Sequence, residues 1–165
     1  IIRWAQASRA LPSYVADAFV RFTRDSLKDY RKLPKEKDVE QALRLAPDNA
    51  SAHANLGNVC SILGLRDEAL GHYRRAIDLN AKDAHTRYMI GALLNEQGKF
   101  AEAVELLQRS LVLRPNHPDT LAQLGLALVR VGRSDEGLKA WRTALQMQPG
   151  HAQAAAWLQA AAATK

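Results

Sequence analysis

Five histidines and a single cysteine, Cys60, are the residues of this chain that raise the question of catalysis or metal binding. His117 and His151 stand 34 residues apart in the same place of a repeating pattern, so helix layers about 10 Å apart separate them. They cannot share a metal ion whose imidazole ligands sit at about 2 Å, and they read as residues of the loops between repeats. His53 and His85 are expected in solvated or hydrogen-bonding roles. A lone cysteine excludes an internal disulfide and a cysteine-rich zinc site. Cys60 reads as a buried structural thiol rather than a reactive one. Glycines stand singly, so there is no phosphate-cradling loop. Glu105 with Arg109 and Asp135 with Lys139 are i, i+4 pairs of a solvated helix face, not acid–base machinery. The expectation is therefore no catalytic residue, no metal and no cofactor.

The whole chain has 165 residues, 47% of them hydrophobic and 24% charged, which fits one domain or one repeat array rather than a disordered chain. The formal net charge of +6 is spread among acidic neighbours, as in "RKLPKEKDVE", and no block of five basic residues occurs, which argues against a nucleic-acid partner. No apolar run approaches the roughly 18 residues of a membrane helix, and "IIRWAQASRALP" lacks the apolar core of a signal peptide. The chain starts at Ile1 and not at methionine. The expectation is a piece of a longer protein, cytoplasmic in the first instance, with membrane-associated and periplasmic settings left open.

The elements that must position these residues follow from a 34-residue period. "LAPDNASAHANLG", "LNAKDAHTRYMIG" and "LRPNHPDTLAQLG" are the same stretch written three times. Gly57, Gly91 and Gly125 form one column, Gly64, Gly98 and Gly132 another, and Ala76, Ser110 and Ala144 a third. A fixed period of this kind marks a repeat architecture. Within each period the apolar spacing is helical and fits two helices, called A and B below. Gly98 ends an A helix by supplying the left-handed position after its C-terminus, and "FAEAVELLQRSLVL" is the B helix that follows. Pro115 closes that helix, Asn116 is the expected cap of the next, and Pro118 is tolerated in its first turn.

The Leu-Gly or Ile-Gly pairs at 56–57, 90–91 and 124–125, followed by Ala69, Tyr73 and Ala76, by Ala103, Leu107 and Ser110, and by Gly137, Trp141 and Ala144, resemble the tetratricopeptide repeat. The resemblance implies an all-α fold, a right-handed superhelical solenoid of antiparallel helix pairs. Three repeats span 50–83, 84–117 and 118–151, and 152–165 is a capping helix. Residues 1–49 are expected to hold N-terminal helices near 13–31 and 36–46, including a degenerate repeat over 16–49 with Phe19 and Phe22. The tryptophan expected early in helix A is replaced by His53, Arg87 and Leu121.

By the same resemblance the second, fifth, ninth and twelfth places of each repeat face a concave groove. From these places the candidate binding residues are Ala54, Asn58, His85, Tyr88, Ala92, Asn95, Ala122, Leu126 and Val129, with Asp119 also among the groove places. Family members that grip a chaperone's C-terminal carboxylate use lysine and arginine at the fifth and ninth places, where this chain has Ala54, Ala122 and Leu126. The asparagine ladder of the sugar-transferring members is broken here to Asn55, Met89, Gln123 and Trp157. What remains is a trough for an apolar or amphipathic segment of a protein partner. The reading is a non-catalytic interaction scaffold, with self-association through the solenoid ends a second partner type. The rival reading is the recruitment segment of a larger enzyme such as a transferase.

Overall fold

The computed structural model describes residues 47–163. The N-terminal helices and degenerate repeat expected before residue 47, with Phe19 and Phe22, lie outside these residues. Seven α-helices and no strand occur among the described residues: α1 Ala50–Ile62, α2 Arg66–Leu79, α3 Ala84–Glu96, α4 Phe100–Leu113, α5 Pro118–Arg130, α6 Ser134–Met147 and α7 Ala152–Ala163. The fold is all-α.

Each A helix ends in the same way because the same glycine recurs. At the end of α3, Gly98 has φ 75°, a backbone region that costs an L-residue about 1–2 kcal/mol. Its N–H bonds the Asn95 carbonyl at 3.1 Å, and the N–H of Lys99 reaches back to Leu94 at 2.9 Å. This pair of bonds is the Schellman motif, which satisfies carbonyls that a helix end leaves open. Gly64 and Gly132 repeat it with φ 79° and 85°. The chain thereby reverses within three residues, and the B helix lies back along the A helix.

The chain divides into two compact units, Ile1–Ala81 and Lys82–Lys165. In the first, α1 packs on α2 through Leu56, Val59, Cys60, Ala69, Leu70 and Tyr73, all buried. Cys60 is the enclosed thiol expected, and burial pushes its pKa up. In the second, α3 pairs with α4 and α5 with α6, α5 also touches α3 and α4, and α7 closes on α6 and α5. Here Leu107 fills the place that Tyr73 takes in the first unit, and Trp141 fills it one repeat on. Ser110 replaces the alanine of its column by donating its hydroxyl to the Ala84 carbonyl at 2.7 Å, so the polar atom is satisfied inside.

Among the surface pairs, Glu105–Arg109 closes at 2.6 Å. On α6 the close pair is Arg133–Glu136 at 2.7 Å rather than Asp135–Lys139, because the arginine just before the helix makes two bonds to the glutamate three residues on.

Candidate functional site

The starts of the A helices gather the polar side chains. Helix N-termini leave backbone N–H groups without partners, and one column of the repeat supplies them. Asn49 accepts from Ala52 N–H at 3.0 Å, and Asp83 accepts from Thr86 N–H at 3.0 Å. One repeat later the cap is His117, not the expected Asn116. Pro118 occupies the first helical position, so the capping residue must be the one directly before it. The Nδ1 of His117 accepts from Thr120 N–H at 3.2 Å and from the Thr120 hydroxyl at 2.7 Å. His151 does the same for α7, its Nδ1 accepting from Ala154 N–H at 3.2 Å.

This capping fixes the tautomers. A ring nitrogen that accepts a backbone N–H carries no proton, so each neutral imidazole holds its hydrogen on Nε2. Both Nε2 atoms turn toward one carboxylate. His151 donates to Asp119 Oδ1 at 3.0 Å, and Nε2 of His117 lies 3.9 Å from Asp119 Oδ2. His151 is buried, while the Asp119 side chain is 54% exposed. Both histidines stand between repeats, as expected, and act there as structural hydrogen-bonding groups.

Beside them stands Tyr88. Its ring centroid lies 6.0 Å from that of His85 in a tilted arrangement and 5.4 Å from that of His117 edge-on. Burial, reinforced by the negative charge of Asp119, pushes the Tyr88 phenol pKa up. Burial pushes the His117 pKa down, with Arg114 and His85 adding to that and Asp119 opposing it. Tyr88 keeps part of its surface open, and His85 is exposed.

The other expected site residues divide by burial. Ala92, Leu126 and Val129 are partly exposed. Ala122 is fully enclosed at 0% and presents its carbonyl to Trp141, so it underlies the surface instead of forming it. Asn95 is buried, and its Nδ2 donates to both the carbonyl and the Oε1 of Gln123 at 2.9 Å. It ties α3 to α5, where the groove assignment would have it face outward. Ala54 and Asn58 belong to the first unit and are partly exposed; Asn58 Oδ1 accepts the Tyr73 hydroxyl at 2.7 Å. His53 is buried too, with Nε2 3.1 Å from the Pro47 carbonyl and Nδ1 3.4 Å from His72 Nδ1, so it does not reach a groove surface. Arg87, in the column of the missing tryptophan, is buried with its guanidinium on the Asp83 carbonyl at 3.2 Å.

Among the described residues no group of three or more histidine, cysteine or acidic side chains is arranged to hold a metal ion. The capping role of His117 and His151 escaped the sequence reading. Its signal was the 34-residue column Asn49, Asp83, His117, His151, whose first two members are among the best N-cap residues.

The chain matches two protein-family models. One described as Tetratricopeptide repeat matches residues 36–84 and 123–164, more than half of the chain, and one described as TPR repeat matches 91–132. No match was found among curated proteins. Solved structures share the fold. MamA from Desulfovibrio magneticus RS-1 superposes with a TM-score of 0.76 at 19% identity, covering 87% of this chain and 81% of that one. PilF of Pseudomonas aeruginosa gives 0.76 at 20% identity, over 88% of this chain and 67% of its own. The first TPR of Spaghetti, solved with the HSP90 peptide SRMEEVD, gives 0.67 at 19% identity, over 70% and 91%.

Proposed function

The chain belongs to the tetratricopeptide repeat family, and we propose that it is a non-catalytic protein-interaction module whose A helices hold a peptide or helical segment of a partner. The observation that carries this reading is the setting of Tyr88. Its ring is held between His85 and His117 yet remains partly open. An aromatic side chain ordered before the partner arrives loses little freedom on binding, which is what concentrates affinity in an interface anchor. Ala92, Leu126 and Val129 add partly exposed apolar surface in the same unit, and Ala54 and Asn58 hold the corresponding places in the first unit.

The related structure of Spaghetti shows that one protein of this fold holds a peptide. A carboxylate clamp of the chaperone-binding kind is not what this chain offers, since Ala54, Ala122 and Leu126 stand where cations would be needed. The partner is instead an apolar or amphipathic segment.

The test compares wild type, Tyr88→Ala and a B-helix control, Lys139→Ala, for affinity toward a partner captured by the wild type. Tyr88→Ala should weaken binding by about 2 kcal/mol, roughly thirtyfold, with the helical signal intact. Lys139→Ala should bind as wild type. Equal affinity for wild type and Tyr88→Ala would place the binding surface elsewhere on the chain.

A further inference from the structure

We infer that the bound segment carries a lysine or arginine side chain that pairs with the Asp119 carboxylate beside the Tyr88 ring. The inference rests on the proposal that the A-helix face is the binding surface, and it adds the chemistry which that surface selects.

Asp119 is the one ionised side chain among the groove places of α1, α3 and α5, in a chain whose net charge is +6. Its placement has a structural reason that accounts for half of it. A carboxylate in the first turn of α5 meets the positive end of the helix, and Oδ1 receives the Nε2–H of His151, which fastens the cap of α7. Oδ2 is not used up in this way. The imidazole of His117 stands 3.9 Å from it, beyond hydrogen-bond distance, and a carboxylate accepts about four hydrogen bonds in all. Among the described residues the ion-pair neighbours of Asp119 within 4.0 Å are these two histidines; Arg114, whose charge acts on His117, makes no such pair with it. The carboxylate is thus oriented by His151 through Oδ1, is more than half exposed, and has no lysine or arginine within 4.0 Å among the described residues.

Its surroundings suit one. Tyr88 and Asp119 both flank His117, the ring at 5.4 Å between centroids and the carboxylate at 3.9 Å from Nε2. A negative charge next to an aromatic ring is the setting in which a guanidinium or ammonium gains from both. A glutamate or aspartate side chain would meet repulsion at the same spot.

The experiment selects random twelve-residue displayed peptides on the full chain in three forms: wild type, Tyr88→Ala and Asp119→Asn. The asparagine keeps an acceptor for His151 Nε2–H, and melting curves establish that all three forms are folded. Wild type should enrich peptides with apolar anchors and one recurring lysine or arginine at a fixed spacing from them. Asp119→Asn should keep the anchors and lose the basic position. Replacing that residue by norleucine in one selected peptide should weaken wild-type binding about fivefold and leave binding to Asp119→Asn within twofold. The selected peptide with its basic residue replaced by glutamate serves as the acidic control and should not compete. Apolar anchors without a recurring basic residue, or an equal norleucine effect on both proteins, would overturn the inference while leaving the binding surface in place. If wild type enriches nothing beyond Tyr88→Ala, the binding surface itself is wrong and the inference falls with it.

Discussion

Trp141 of α6 donates its indole N–H to the Ala122 carbonyl of α5 at 2.9 Å, across the space that Gly125 leaves open. The packing on the glycine, though not that hydrogen bond, recurs between Gly57 and Tyr73 and between Gly91 and Leu107, always 16 residues apart, with a large side chain of helix B lying where a Cβ of helix A would be. The glycine column and the large-residue column of the sequence are one packing contact seen from its two sides.

Gly125→Ala should therefore destabilise the protein although alanine favours helices. The added Cβ would come within 3.0 Å of both the Trp141 ring and the Gly137 backbone carbonyl, and the carbonyl cannot swing away as a side-chain tip could. The expected loss is about 1–3 kcal/mol in urea unfolding. Gly71 is the internal contrast. It lies within α2, is exposed, and a Cβ there meets nothing within 4 Å. Gly71→Ala should stabilise by about 0.5–1 kcal/mol. The same sign for both substitutions would refute this packing assignment.

Ala76 and Ala144 are both 0% exposed at the crossing of A and B helices. Ala144→Leu and Ala76→Leu insert three extra carbons where no surface remains, and each should cost about 1–3 kcal/mol. An unchanged urea midpoint in either variant would mean that the column tolerates volume after all.

The repeat register, the helix pairs and the core columns were legible because each rests on a periodic constraint that the sequence repeats three times. Gly98 must adopt a positive φ, and Tyr73, Leu107 and Trp141 must meet a glycine. The site was less legible because its columns keep their place in the period while the residue type changes. His117 caps α5 where Asn116 looked the better cap by residue type, and the reason is the position of Pro118. Asn95 occupies a groove place by number, yet its amide turns inward because Gln123 offers it two acceptors. Resemblance assigns a residue to a face, whereas the neighbouring repeat decides where its polar atoms go.

Asn95 is accordingly expected to act on stability. Its Nδ2 serves two oxygens of Gln123, while its Oδ1 is buried without a hydrogen-bond partner. Asn95→Ala removes the donor but also the unmatched acceptor, so the cost should be modest, about 1 kcal/mol. Asn95→Asp puts a buried carboxylate against the Gln123 carbonyl and should cost more. Urea unfolding of the two variants checks the order, and an aspartate variant as stable as the alanine one would contradict it.

Stability should also fall on mild acidification, and the histidines set the direction. Burial lowers the His117 pKa, aided by Arg114 and His85 against Asp119, and burial with His53 lowers that of His72. Both lie below the value of about 6.5 that a histidine has in the unfolded chain. On acidification the unfolded chain takes up protons first, so the native state loses ground. The stabilising contribution is complete above about pH 6.5 and is lost as the pH falls through that value toward the native pKa of each ring. For His117 the structural cause is plain, because Nδ1 must stay unprotonated to accept the Thr120 N–H. His117→Asn supplies an acceptor that does not titrate and is among the preferred caps. Urea midpoints measured from pH 8 to pH 5.5 should decline for wild type and decline less for His117→Asn. A flat wild-type profile, or identical slopes for the two proteins, would show that the capped imidazole does not govern this response.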